Sequence, residues 1–157
     1  MAGLEPIRQV YGDDRRSTAV VTALNTLEPS WLFYPTPPFF YTDYHMTKVR
    51  PNGRENYIGD LEVKWLRTDS STIVKFPFQK LQRMIISPPY NEEYNIYHRI
   101  CFRFNDGLLL IPVLKLAHLV PQFDIRHDTN ERDLNVHISC KDFSEYWIDE
   151  VVNEPTR

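Results

Sequence analysis

The chain has 157 residues, 42% of them hydrophobic, which suits one domain with a buried core and excludes a disordered polypeptide. A net charge of −3 excludes wholesale coating of nucleic acid but leaves a local basic groove open, and Lys48, Arg50, Arg54, Lys64 and Arg67 do cluster in one stretch. Two distant cysteines, Cys101 and Cys140, imply neither a disulfide framework nor a zinc site. With no apolar leader and no run of transmembrane length, a soluble intracellular, cytoplasmic protein is expected.

In chain order, Gly12 to Leu27 reads as a helix, with Asp13 and Asp14 in its first turn and Val20, Val21, Leu24 and Leu27 on one face. Glu28-Pro29-Ser30 stops it, and Trp31 to Tyr34 is a short aromatic strand. Pro35-Thr36-Pro37-Pro38 is a stiff connector. Phe39 to Val49 and Tyr57 to Leu66 read as an antiparallel hairpin around Pro51-Asn52-Gly53, since Asn and Gly both accept the positive φ of a tight hairpin turn. Thr72 to Phe76 is strand-like, and Phe78 to Ile86 has helical spacing with Pro77 at its start. Ile96 to Phe104 alternates as a strand. Asn105-Asp106-Gly107 turns it into a second apolar strand, Leu108 to Pro112, with a brief helix over Val113 to Val120. Asn135 to Cys140 reads as a strand, and Asp142-Phe143-Ser144-Glu145 offers a capping box for a closing helix through Val152. This order predicts an α/β fold: a central mixed sheet containing an antiparallel hairpin, flanked by helices on both faces. One domain over 1–157 is expected, with its core at about 13–120 and a strand and helix appended.

Within the hairpin, Glu62 and Lys64 project to one face with Val63 opposite, and a suitable register sets Asp43 across from them. Two carboxylates and an ammonium at one spot are what a Mg²⁺-dependent phosphodiester hydrolase needs. The carboxylates hold the hard cation, and the lysine relieves developing charge. Asp60 shares the face of Glu62 and is the rival first carboxylate. His45, two residues beyond Asp43, is either a site residue or a structural histidine. His98, His118, His127 and His137 show no metal-ligand spacing.

The arrangement resembles the PD-(D/E)xK nuclease superfamily, which includes restriction endonucleases and Holliday-junction resolvases. Thr42-Asp43 stands at the first acidic motif, with threonine where many members have proline, and Glu62-Val63-Lys64 matches the second motif. The resemblance covers about Asp13 to Val120. It implies a restriction-endonuclease-like core of helix, three-strand meander, helix and further strand. It also implies a metal-binding hydrolase acting on DNA, with Asp43, Glu62, Lys64 and Gln79 as catalytic residues and Gln82 as the alternative to Gln79. Asp43 and Glu62 would be the ligands of Mg²⁺, or alternatively Mn²⁺. An acidic residue on the first helix, Asp13 or Asp14, would assist. Lys48, Arg50 and Arg54 would contact the nucleic-acid backbone, and a homodimer is implied because cutting both strands takes two sites.

Two other readings stand beside the endonuclease. One is a non-catalytic binding or assembly protein, such as a viral matrix-like or scaffolding domain, supported by the aromatic and proline-rich stretches Phe33 to Tyr44 and Pro88-Pro89-Tyr90. The other is a nuclease-fold relative that binds nucleic acid without cutting it.

Overall fold

The computed structural model describes residues 15–87, 96–126, 128–129 and 131–156. Asp13, Asp14, Pro88-Pro89-Tyr90 and His127 lie outside them. Among the described residues, helix α1 (Arg15–Leu27) leads into strands β1 (Trp31–Pro35), β2 (Tyr44–Val49), β3 (Glu55–Trp65) and β4 (Val74–Pro77). Helix α2 (Phe78–Ile86) follows, then β5 (Arg99–Phe104), β6 (Gly107–Pro112), β7 (Gln122–Ile125), β8 (Arg132–Ile138) and β9 (Trp147–Ile148). The main sheet is mixed, in the order β1-β2-β3-β5-β6-β9, and a smaller antiparallel sheet runs β4-β8-β7. The β3–β5 pair is parallel, so the chain crosses over between them through β4 and α2. The α/β architecture with a mixed sheet and an antiparallel hairpin is the one expected.

Alternation along the strands builds two cores. Leu61 and Val63 of β3, Cys101 of β5, and Leu108 and Leu110 of β6 meet Val20, Val21 and Leu24 of α1. On the opposite face Ile100, Phe102, Phe104, Leu109 and Ile111 meet Leu81 and Met84 of α2, together with Val74, Phe76, Val136 and Ile138 from the smaller sheet. Each buried leucine-sized side chain contributes about 2 kcal/mol of transfer free energy. The two faces therefore hold the main sheet between α1 on one side and α2 with the small sheet on the other. Both cysteines are buried free thiols, and among the described residues no helix is long and apolar enough to cross a membrane.

Several expectations need correction. The segment 39–43 is not strand: β2 begins only at Tyr44, and Phe39 takes a positive φ of 63°. The hairpin turn is also wider than a two-residue Asn-Gly loop. Arg50 N–H donates to the Arg54 carbonyl at 2.7 Å, and only Gly53 (φ 83°) is left-handed. Asn52 instead accepts from the Arg54 amide through its side chain at 3.0 Å. The closing helix does not form. Cys140–Tyr146 is 3₁₀ with a non-helical Phe143, and Trp147 and Ile148 pair with Leu109 and Leu108 on the open edge of β6. Edge pairing satisfies backbone groups that a capping box on a lone terminal helix would leave to water. Val113–Leu116 is likewise only a 3₁₀ turn. Strand β7 carries no clear alternation and is absent from the predicted elements.

Candidate functional site

Local geometry at the start of β3 decides where the polar side chains go. The β2–β3 register pairs Tyr44 with Leu61 and His45 with Asp60, and slips at Met46/Thr47. Gly59 sits in that irregularity at φ 125°, where a Cβ would collide with the Tyr97 carbonyl. The glycine lets the chain before β5 lie against β3, so that Tyr97 N–H donates to the Ile58 carbonyl at 3.1 Å. From there residues 60, 62 and 64 face α2, because Glu62 and Lys64 pair with Ile100 and Phe102 of the α2-side core.

Asp43 arrives at the same place from the loop just ahead of β2. Its amide donates to the Leu61 carbonyl at 3.1 Å, and its Oδ2 accepts from the Val63 amide at 2.8 Å. Asp43 and Glu62 are thereby close enough for their charges to interact. Burial first, and then the Asp43 charge, push the Glu62 carboxyl from 4.5 up to about 8, against the pull of Lys80. Glu62 is 8% exposed; its Oε2 is paired with the Lys80 ammonium, while its Oε1 is buried without a hydrogen-bond partner. Lys64 is half-buried on the same face and has no ion pair among the described residues.

The other acidic group on this strand behaves differently. Asp60 is 2% exposed and hydrogen-bonded through one oxygen. Its Oδ1 meets His45 Nδ1 at 2.6 Å and accepts from the Tyr57 hydroxyl at 2.6 Å. Burial alone would raise its pKa, but these bonds and the nearby imidazoles of His45 and His98 leave it lowered. The Asp60 amide in turn donates to His98 Nδ1 at 2.9 Å. Asp60 is thus tied into a hydrogen-bonded network of Tyr57, His45 and His98.

Sequence reading brought Asp43, Glu62 and Lys64 together and missed Lys80. Gln79, one residue earlier, is exposed, and Gln82 lines a shallow apolar groove with Leu116 and Leu119. Helical spacing could have pointed to Lys80: it precedes Arg83 by three residues and the buried Met84 by four, on the flank of α2 that meets the sheet. Arg83 follows along this flank and stacks over Tyr41 at 4.6 Å. Arg50 and Arg54 stand at the hairpin tip and Lys48 just below it. The tip lies roughly 20 Å of extended strand from Asp43, so any backbone contact they make is remote from the site. His137 pairs with Asp124 at 2.9 Å in the smaller sheet, away from the site.

Among the described residues no cluster of three or more His, Cys, Asp or Glu is placed to hold a metal. The site brings together two carboxyl groups, Asp43 and Glu62, one of them paired with Lys80. The orphaned Glu62 Oε1 and the repulsion between Asp43 and Glu62 are both features that a bound cation would relieve. Comparison of the chain with protein-family models, with curated proteins and with solved structures gives no match.

Proposed function

We propose that this chain is a Mg²⁺-dependent endonuclease of the PD-(D/E)xK kind, hydrolysing phosphodiester bonds in DNA. The observation that carries the reading is the convergence of Asp43 and Glu62 on one spot, with a buried, unpartnered Glu62 oxygen and Lys64 on the same strand face. The order of elements supports it. A helix, a three-strand meander with Asp43 just ahead of its second strand and Glu62 and Lys64 on its third, then β4 of the smaller sheet, a helix and a strand parallel to β3 follow in turn, close to the order that the resemblance implies.

Hydrolysis requires water to attack phosphorus, the P–O bond to the leaving oxygen to break, and the extra negative charge to be held meanwhile. A cation held by Asp43 and Glu62 would supply Lewis-acid charge relief at the phosphate. Lys64 adds a compact positive charge beside the same phosphate. Lys80 clamps Glu62 Oε2, fixing which oxygen remains for the cation. The Val63 amide orients Asp43 in the same way.

A plasmid-nicking assay in Mg²⁺ against EDTA tests this. Wild type is expected to nick only with Mg²⁺, and Glu62→Ala or Lys64→Ala to lose activity by about 10²–10³-fold or more while keeping the wild-type circular dichroism. Unchanged nicking in either variant removes that residue from the mechanism.

A further inference from the structure

The loop entering the site carries an aromatic ring with no use inside the fold. Pro35, Pro37 and Pro38 stiffen this loop, and its two ends are fastened together. The Thr36 amide donates to the Asp43 carbonyl at 3.0 Å, its hydroxyl donates to the Thr42 and Asp43 carbonyls, and the Phe40 amide donates to the Pro37 carbonyl at 3.2 Å. Residues 37–42 therefore form a fixed projection rooted on Asp43 itself. Two of its aromatics are engaged: Phe40 stands edge-on to His45 at 5.4 Å, and Tyr41 lies beneath Arg83 and edge-on to His98.

Phe39 is the exception. It is 106% exposed, the most exposed large apolar side chain described, and among the described residues its ring touches no other ring. It is also the one described residue other than glycine with positive φ, at 63°. That conformation is unfavourable for a bulky L-residue, so both its backbone and its ring stand in positions that folding alone does not reward. A single rigid ring, rather than an apolar patch, suits one flat partner. The loop that carries it is rooted on Asp43, which lies beside Glu62 and its partner Lys80, and Arg83 packs over Tyr41 of the same loop; these cations suit a phosphate backbone.

We propose that Phe39 is a stacking post for an unpaired nucleobase next to the scissile phosphate, which makes single-stranded or branched DNA the substrate in preference to continuous duplex. This rests on the nuclease reading for its location. An unpaired base offers an open π-face at little cost, whereas a duplex must first be unstacked.

The test uses full-length protein and a branched oligonucleotide with 2-aminopurine in its single-stranded arm. Stacking quenches the probe, and in EDTA this is read without cleavage. Wild type and Phe39→Trp are expected to quench it, and Phe39→Ala is not. In Mg²⁺, the preference of Phe39→Ala for the branched substrate over duplex should fall about tenfold, with duplex cleavage unchanged. Its melting temperature should not drop, because the ring packs against nothing; a drop would mark a structural role and overturn the proposal. An active wild type whose Phe39→Ala variant keeps both quench and preference would overturn the stacking post alone. A wild type that quenches the probe but never cleaves would overturn the nuclease reading and leave the post standing.

Discussion

Asp60 and Glu62 sit two residues apart on one face of one strand, both buried, yet they are opposite cases of a carboxylate inside a protein. Asp60 has a hydroxyl and an imidazole on its oxygen, and its pKa is held down. Glu62 has one lysine on one oxygen, no donor on the other, the Asp43 carboxylate within hydrogen-bonding reach, and a pKa pushed up to about 8. Burial is similar, so the difference comes from neighbours. A satisfied buried charge stabilises a fold, while an unsatisfied one costs free energy that folding alone does not repay. The contrast separates a structural acid from a ligand-seeking one more sharply than the motif spacing does.

The largest effect expected to divide the pair is on cleavage, which Glu62→Ala should abolish as described above. Asp60→Ala should act mainly on stability. It strips the partner from a Tyr57 hydroxyl and from His45 Nδ1, leaving both partly buried groups unpaired. A loss of about 3–4 kcal/mol in urea unfolding is expected at neutral pH. A stable Asp60→Ala protein that had lost only its metal affinity would reverse the roles assigned to the two residues.

The next effect is a pH dependence with a definite sign. The Glu62 carboxyl titrates near 4.5 when unfolded and at about 8 when folded. Between those values the folded state holds more protons than the unfolded state, so stability falls as pH rises through that window. A glutamine side chain cannot ionise, and Glu62→Gln should therefore be the more stable protein above pH 8, with the two curves meeting below pH 4.5. Asp43 and Lys80 are the charged groups acting on this carboxyl, and both remain in the variant. Saturating Mg²⁺ should close the gap by stabilising wild type alone. Parallel unfolding curves across the window would show that Glu62 is not strained.

Much of this was legible in the sequence because period-two and period-3.6 patterns report burial directly. Helix α2 spans the residues its spacing indicated, and Asp43, just ahead of β2, does reach β3 beside Glu62, held by the Leu61 carbonyl and the Val63 amide. What failed was decided by partners distant in sequence. Phe39 to Asp43 has strand-like composition, but the proline loop and its Thr36 anchor turn it aside. The capping box at Asp142 lost to the open edge of β6. Lys80 was missed because a lysine on an amphipathic helix reads as solvated until the neighbouring strand is placed. Asp60 and Glu62 were equivalent by spacing, and only Tyr57, His45 and His98 tell them apart.

The smallest effect sharpens the ligand assignment. Asp43→Asn keeps an oxygen for the Val63 amide and so preserves the local backbone, but it removes one of the two charges that make the cation site. Mg²⁺ affinity by calorimetry should fall about tenfold, equivalent to about 1.4 kcal/mol. The same change takes away the second-largest cause of the raised Glu62 pKa, so the pH window of wild type should narrow from its upper end. Asp60→Asn serves as the control, since its Oδ1 already has two partners, Tyr57 and His45. If Asp60→Asn weakens Mg²⁺ binding and Asp43→Asn does not, the cation sits one network further toward the hairpin tip, and Glu62 keeps its unpaired oxygen for another reason.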